Sequence, residues 1–207
     1  MKSVFQYFPI LMLSLMLIAC GGKQEKLISA MIPIAGNKPD SALTILSKID
    51  QTKLSDRGLA LYSLVYTMAQ DKSGIDVDKD SLLRYAHDWY KDKPDDSLYA
   101  KCEYYIGKYY SLNDSSERAL HCFANSIKAA NHRKDYYTQS LALLQSSVIV
   151  REYNPALAIR YAKEALRIYH EAKDASQANK VYGLLNLAEC YYYSAAISPF
   201  GDMAASI

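Results

Sequence analysis

The feature that most constrains the fold is an internal repeat in the middle of the chain. Residues 116–130 and 154–169 align when Ala119 is placed on Ala158, an offset of 39 residues. Both segments place apolar or small residues at positions i, i+1, i+4 and i+8, which form one stripe along a helix. The repeat therefore predicts amphipathic helices that stack as equivalent units.

Each copy of the repeat follows another segment of helical character, at residues 99–112 and 138–152. Turn-prone residues separate the paired segments, at 113–116 and at Asn154-Pro155. Asp and Ser side chains accept the first free amide hydrogens of a helix, and Pro suits its first turn. The repeating unit is thus predicted to be helix, turn, helix. Further helices are predicted at residues 38–50, 55–70, 80–90 and 178–194.

This unit resembles the tetratricopeptide repeat (TPR). Gly107 and Tyr110 match the Gly and Tyr of its first helix, after the large residue Ile106. The small or aromatic positions of its second helix match Ala119, Phe123 and Ser126 in one copy, and Ala158, Ala162 and Ala165 in the next. Leu187, Ala188 and Tyr191 fit the first-helix pattern again.

The TPR resemblance implies an all-α, right-handed superhelix of about three to four repeats over residues 27–207, the last incomplete. The last predicted helix would leave its apolar side uncovered, since a turn is predicted at residues 199–202. We therefore expect the sequence to be truncated, or a partner to cover this end. The repeat period alone would also fit another helical-hairpin solenoid.

The N-terminus carries an apolar run at residues 10–19, which is too short to span a bilayer. It ends in Leu17-Ile18-Ala19-Cys20, which resembles the lipobox of bacterial lipoproteins. That resemblance implies a cleaved signal peptide at 1–19, a lipid on Cys20, and a tether at 20–26. The alternatives are an ordinary signal peptide or an uncleaved anchor with an incidental cysteine.

The whole arrangement, including the Lys-Pro-Asp-Ser-Ala-Leu stretch at 38–43, resembles TPR lipoproteins of Gram-negative bacteria. The resemblance implies a protein anchored in the cell envelope, on the periplasmic side of the outer or inner membrane or on the cell surface. TPR proteins bind peptides or proteins with the first helix of each unit. Carried onto this chain, the partner-binding residues are Lys101, Tyr104, Lys108, Arg151, Tyr182 and Tyr192. The same resemblance implies that these residues line a concave groove, together with Ser140, Leu143, Ser147, Val150, Leu185, Glu189 and Tyr193.

Other functions are disfavoured by the sequence. A net charge of +2 without a basic stripe disfavours nucleic acid. Asp76, Asp78 and Asp80 begin a calcium-loop pattern whose Gly and Glu are missing, and His121-Cys122 lacks zinc spacing. No catalytic or cofactor motif is present, so we predict no enzyme activity, metal or cofactor. The remaining cysteines, Cys102, Cys122 and Cys190, are predicted to be buried.

Two other functions stay open. The chain could be a ligand-sensing input module of a larger signalling or regulatory protein. It could also capture carbohydrate on aromatic side chains, although its single tryptophan, Trp89, weakens that alternative.

Overall fold

The computed structural model describes residues 22–75, 81–171 and 177–204, and all regular secondary structure in these ranges is helical. The predicted all-α class is therefore confirmed. The chain divides into two compact units, Met1–Trp89 and Tyr90–Ile207. The predicted signal peptide, Cys20, and residues 76–80 with their three aspartates lie outside the described residues.

The first unit begins with helix α1 at residues 22–37, followed by α2 (Pro39–Leu46) and a short 3₁₀ helix (Gln51–Lys53). Helices α3 (Asp56–Lys72) and α4 (Ser81–Tyr90) follow, and the last residue of α4 belongs to the second unit. Residues 22–26, which we assigned to a tether, form the start of α1. Helix α2 ends four residues before the predicted boundary.

Capping and close contacts position these first helices. Ser55 caps α3, where its hydroxyl oxygen accepts the Gly58 N–H at 3.0 Å. The same hydroxyl donates to the Glu25 carboxylate of α1 at 2.5 Å. At the other end of α3, the Ser73 hydroxyl donates to Asp40 of α2 at 2.7 Å. These bonds fix α1 and α2 against the two ends of α3.

The second unit contains five helices over the segments in which repeats were predicted: α5 (Tyr99–Leu112), α6 (Ser116–Arg133), α7 (Tyr136–Val150), α8 (Pro155–Tyr169) and α9 (Gln177–Ala204). The boundaries of α5 agree with the prediction, and those of α8 differ from it by one residue. Each helix packs against the next along the chain, and α7 also contacts both α5 and α9.

Local signals explain where α7 and α8 begin. The Asp135 carboxylate accepts the Thr138 N–H at 3.1 Å, and the Asn154 side chain accepts the Leu157 N–H at 3.1 Å. Helix α6 ends at Arg133, and the capping residue Lys134 that follows has a left-handed conformation with φ of 59°. At the start of α6, in contrast, Ser115 makes no side-chain capping bond.

The predicted turn at residues 199–202 is wrong, because α9 continues to Ala204. Proline disfavours a helix interior since it lacks an N–H donor and clashes with the preceding turn. Ser198, Gly201 and Asp202 near Pro199 are also weak helix formers, so local propensity does not account for this continuation. The missing hydrogen bond lies within the last turns of the helix, where it interrupts little of the structure.

Small residues allow close packing in the second unit, as the repeat pattern predicted. A Cβ atom added at Gly107 would lie 2.6 Å from the Phe123 ring, so α5 and α6 meet without room for a side chain. Ala158, Ala162 and Ala165 of α8 are fully buried. One buried cluster consists of Leu143 and Leu144 of α7 with Ala165 and Ile168 of α8. A second consists of Val150 of α7, Ala158 and Ala162 of α8, and Cys190 of α9.

Candidate functional site

The three predicted binding residues of α5 are packed or paired. Lys101 forms an ion pair with Asp135 and donates to the Thr138 hydroxyl at 3.3 Å. The Tyr104 ring is 4% exposed and lies edge-on to Tyr105. Lys108 is half-buried. Because the Tyr104 ring is packed between helices, we omit Tyr104 from the partner-binding residues proposed below.

The ion pair of Lys101 is a structural link between α5 and α7. Burial acts to raise the pKa of Asp135, but the positive charge of Lys101 and hydrogen bonds from Lys101 and Thr138 outweigh it. The pKa of Asp135 therefore lies below its usual value, and the carboxylate is charged at neutral pH. The Lys101 ammonium thus has its partners inside the protein, in Asp135 and Thr138 of the next helical segments.

A second charged group lies where α7 meets α9. Arg151 forms an ion pair with Glu189, and its guanidinium lies 5.4 Å from the centre of the Tyr193 ring. Tyr193 in turn is edge-on to Tyr192, with ring centres 5.9 Å apart. The structure therefore brings Arg151 close to the tyrosine pair at positions 192 and 193.

The predicted groove positions of α7 lie in a contact between helices. Ser140, Leu143, Ser147 and Val150 are all buried. The Ser147 hydroxyl donates to the Asn186 side-chain oxygen at 2.8 Å, and the Asn186 amide donates to the Leu144 carbonyl at 3.3 Å. These buried polar groups satisfy one another between α7 and α9.

Exposed predicted residues are found on α9. Tyr192 is 72% exposed and Tyr182 is 43% exposed. Desolvation of the Tyr182 hydroxyl still raises its pKa, and a hydrogen bond with Gln145 opposes that shift. The exposed surface around them is largely apolar and includes Val181, Leu184, Leu185 and Tyr191, with the charged Glu189 beside them.

Sequence reasoning missed part of this exposed α9 surface. Leu185 belongs to the groove positions of the TPR pattern, but Val181 and Leu184 do not. The available signal was the spacing to Ala188, because Val181 and Leu184 lie seven and four residues before it and such positions share one helix face. These exposed apolar residues lie on the helix for which the sequence predicted an uncovered apolar side.

A different surface of the second unit forms an open pocket of about 490 Å³ beside Tyr99. Its lining includes Asp95, Lys128 and His132, which give it charges of both signs. Burial, with a further contribution from Glu103, raises the pKa of Tyr99 to about 12, so its hydroxyl stays protonated. This polar pocket differs in character from the apolar α9 surface.

The thiols are packed in the interior, as predicted. Cys102, Cys122 and Cys190 are free and buried. Burial, together with the nearby Glu103, raises the pKa of Cys122 to about 12, so the thiol is neutral and unreactive.

Within the described ranges, no group of three or more His, Cys, Asp or Glu residues is placed to hold a metal ion. None of the helices in those ranges is both long and apolar enough to cross a membrane.

Comparisons with protein-family models, with curated proteins and with solved structures find no match to this chain.

Proposed function

We propose that the chain is a lipid-anchored helical scaffold that binds another protein at the cell envelope. In this proposal, residues 1–19 direct export, and acyl chains on Cys20 hold the protein to a membrane. Two or more acyl chains give stable anchoring, whereas one gives only marginal binding. The helical units then present a partner-binding surface near that membrane.

The observation that carries the binding proposal is the exposed apolar side of α9. Soluble surfaces carry single exposed apolar residues, but a continuous apolar patch is typical of an interaction site. Tyr182 and Tyr192 belong to this patch, and tyrosine is frequent among residues that dominate interface energies. The sequence contains no recognisable catalytic motif, which agrees with a binding role.

The order of helix contacts supports a TPR-like arrangement of the second unit. Helices pack in chain order, and α7 contacts both α5 and α9. That is the pattern expected when first helices of successive units lie side by side.

The test is affinity purification of the full-length chain from solubilised membranes of its native cells. We expect wild type to be lipidated, to lack residues 1–19 by intact mass, and to co-purify a specific protein. Cys20→Ala should move to the soluble fraction. The double variant Tyr182→Ala/Tyr192→Ala should remain anchored but lose the co-purified protein.

The matched control is Tyr153→Ala, because Tyr153 is an equally large exposed tyrosine outside α9. This variant should retain the partner. Equal recovery of the same protein by all three variants would refute the binding site, and an uncleaved, unmodified Cys20 would refute the anchor.

A further inference from the structure

The first helix of the chain begins almost at the proposed lipid site. Cys20 precedes Gly22, the first residue of α1, by two positions. Two residues of chain span at most about 7 Å, so a lipid on Cys20 would hold the start of α1 within about that distance of its attachment point. The reach that a tether at residues 20–26 would give is therefore lost.

The start of α1 is packed against the first turn of α3. Ile28 is fully buried, and the Glu25 carboxylate accepts a hydrogen bond from the Ser55 hydroxyl at 2.5 Å. A Cβ atom added at Gly58 would lie 2.9 Å from the same carboxylate, so the two helices leave no room there for a side chain. A lipid on Cys20 would thus restrain a packed part of the first unit.

Helix α1 extends from one end of α3 to the other. Its start contacts the N-terminal end of α3 through Glu25. Asp40, just beyond the end of α1, accepts a hydrogen bond from Ser73 at the C-terminal end of α3. The 17 residues of α3 give it a length of about 25 Å, at 1.5 Å per residue. The proposed lipid site is therefore tied to one end of the first unit, and Ile75 lies at the other.

Exposed basic and apolar side chains collect at the end tied to Cys20, which we call the anchored end. They are Lys23, Lys26 and Leu27 of α1 and Arg57 in the first turn of α3. The nearby acidic groups have partners within the unit. Glu25 is bonded to α3 as described, Asp56 accepts a hydrogen bond from Tyr85 at 3.4 Å, and Asp50 pairs with Lys53 at 2.9 Å. The side chains left to meet a ligand are therefore basic and apolar.

We infer that the anchored end docks on the anionic headgroups of the membrane that holds the lipid. The inference rests on the proposed anchor and adds an orientation, with the N-terminal end of α3 at the membrane and Ile75 held away from it. A lysine or arginine near an anionic bilayer strengthens binding by about fivefold, and an exposed leucine adds apolar contact at the interface. Because the lipid keeps these groups beside the surface, few charges suffice to orient the unit.

The test measures how close each end of the first unit lies to a bilayer. Leu27→Cys and Ile75→Cys are a matched pair, since these residues are 43% and 46% exposed at opposite ends. Each full-length variant is purified from native membranes, labelled with a thiol-reactive fluorophore, and reconstituted into vesicles of phosphatidylcholine, phosphatidylglycerol and a headgroup-spin-labelled lipid. The native thiols of the described residues are buried, so intact mass should show one label. Docking predicts quenching of the fluorophore at position 27 and its loss at position 75.

A pair of charge reversals tests the contact with the headgroups. In the Leu27→Cys chain, Lys26→Glu should lower the ratio of quenched to unquenched label about fivefold or more, and omission of phosphatidylglycerol should lower it as well. Lys38→Glu is the control, because this exposed lysine lies beside Asp40, toward the other end of the unit. It should leave the quenching unchanged. Circular dichroism checks that every variant keeps its helix content.

The outcomes separate this inference from the proposed anchor. A chain that lacks acyl mass and fails to float with the vesicles would refute the anchor, and the docking with it. An acylated, floating chain with equal quenching at positions 27 and 75 would refute the docking alone. Equal effects of Lys26→Glu and Lys38→Glu would show that the basic residues of the anchored end do not contact the headgroups, and would overturn the inference too.

Discussion

Replacing Gly107 by alanine tests the close α5–α6 packing on which the repeat interpretation depends. The added Cβ would lie 2.6 and 2.8 Å from two ring carbons of Phe123. Carbon atoms pack best about 3.5–4.0 Å apart, so the ring would have to retreat by about 1 Å. Phe123 is fully buried, and a close-packed interior offers little space for that movement.

The magnitude of the Gly107→Ala effect follows from two opposing contributions. Overpacking costs about 1–3 kcal/mol, and this contact belongs near the upper end. The better helix propensity of alanine offsets about 1 kcal/mol. We therefore expect the free energy of unfolding of the second unit to fall by about 2 kcal/mol. In hydrogen exchange, the amides of α5 and α6 that exchange by global opening should exchange about 30-fold faster.

A double-mutant cycle with Phe123→Leu identifies the cause of this loss. If the ring is the obstacle, the two substitutions together should cost less than the sum of their separate effects, by about 1 kcal/mol or more. Gly36→Ala is the control, because a Cβ there would meet no atom within 4 Å. It should leave stability unchanged or slightly increased. A Gly107→Ala variant as stable as wild type would refute the close approach of α5 and α6.

Three further predictions concern the second unit: the charge of Asp135, the backbone at Lys134, and the burial of the three thiols. The pKa of Asp135 lies below the unfolded value of about 3.8, so its contribution is complete above about pH 5 and is lost as pH falls through the folded-state pKa. Urea unfolding of Asp135→Asn should thus show a loss of about 1–2 kcal/mol at pH 7 that shrinks as the pH falls through the folded-state pKa; a pH-independent difference would contradict this. Lys134→Gly should stabilise the protein by about 1 kcal/mol in the same assay, because glycine adopts the left-handed conformation without strain; destabilisation would count against that backbone. Native protein should resist N-ethylmaleimide at Cys102, Cys122 and Cys190 and react at all three in urea, as read by intact mass; rapid labelling of the native thiols would disprove their burial.

The helical elements were largely predictable because their signals are local. The four-residue and three-residue spacing of small residues marked α6 and α8, and Asn154-Pro155 marked the start of α8. Helix α1 was missed because its first residues include Gly22 and read as a linker. It is held in place partly by Glu25, which accepts a hydrogen bond from a serine thirty positions away.

The candidate site was less predictable, because exposure depends on neighbours that a pattern does not specify. Leu143 and Leu185 occupy equivalent positions with the same side chain, yet only Leu143 is covered by a helix. Lys101 and Arg151 were expected in a groove, but each forms an ion pair with a residue more than thirty positions away. Sequence spacing identified the right helix faces, and the tertiary contacts decided which of them remain open.

The central claim, that the exposed side of α9 binds another protein at the cell envelope, is tested most directly by photo-crosslinking in native cells. A photoreactive amino acid is placed at Tyr192 or, as a control, at the exposed Tyr153 of the full-length chain. The account predicts a discrete crosslinked species in the membrane fraction from position 192 and none from position 153. The absence of any product from position 192, or the same products from both positions, would contradict it.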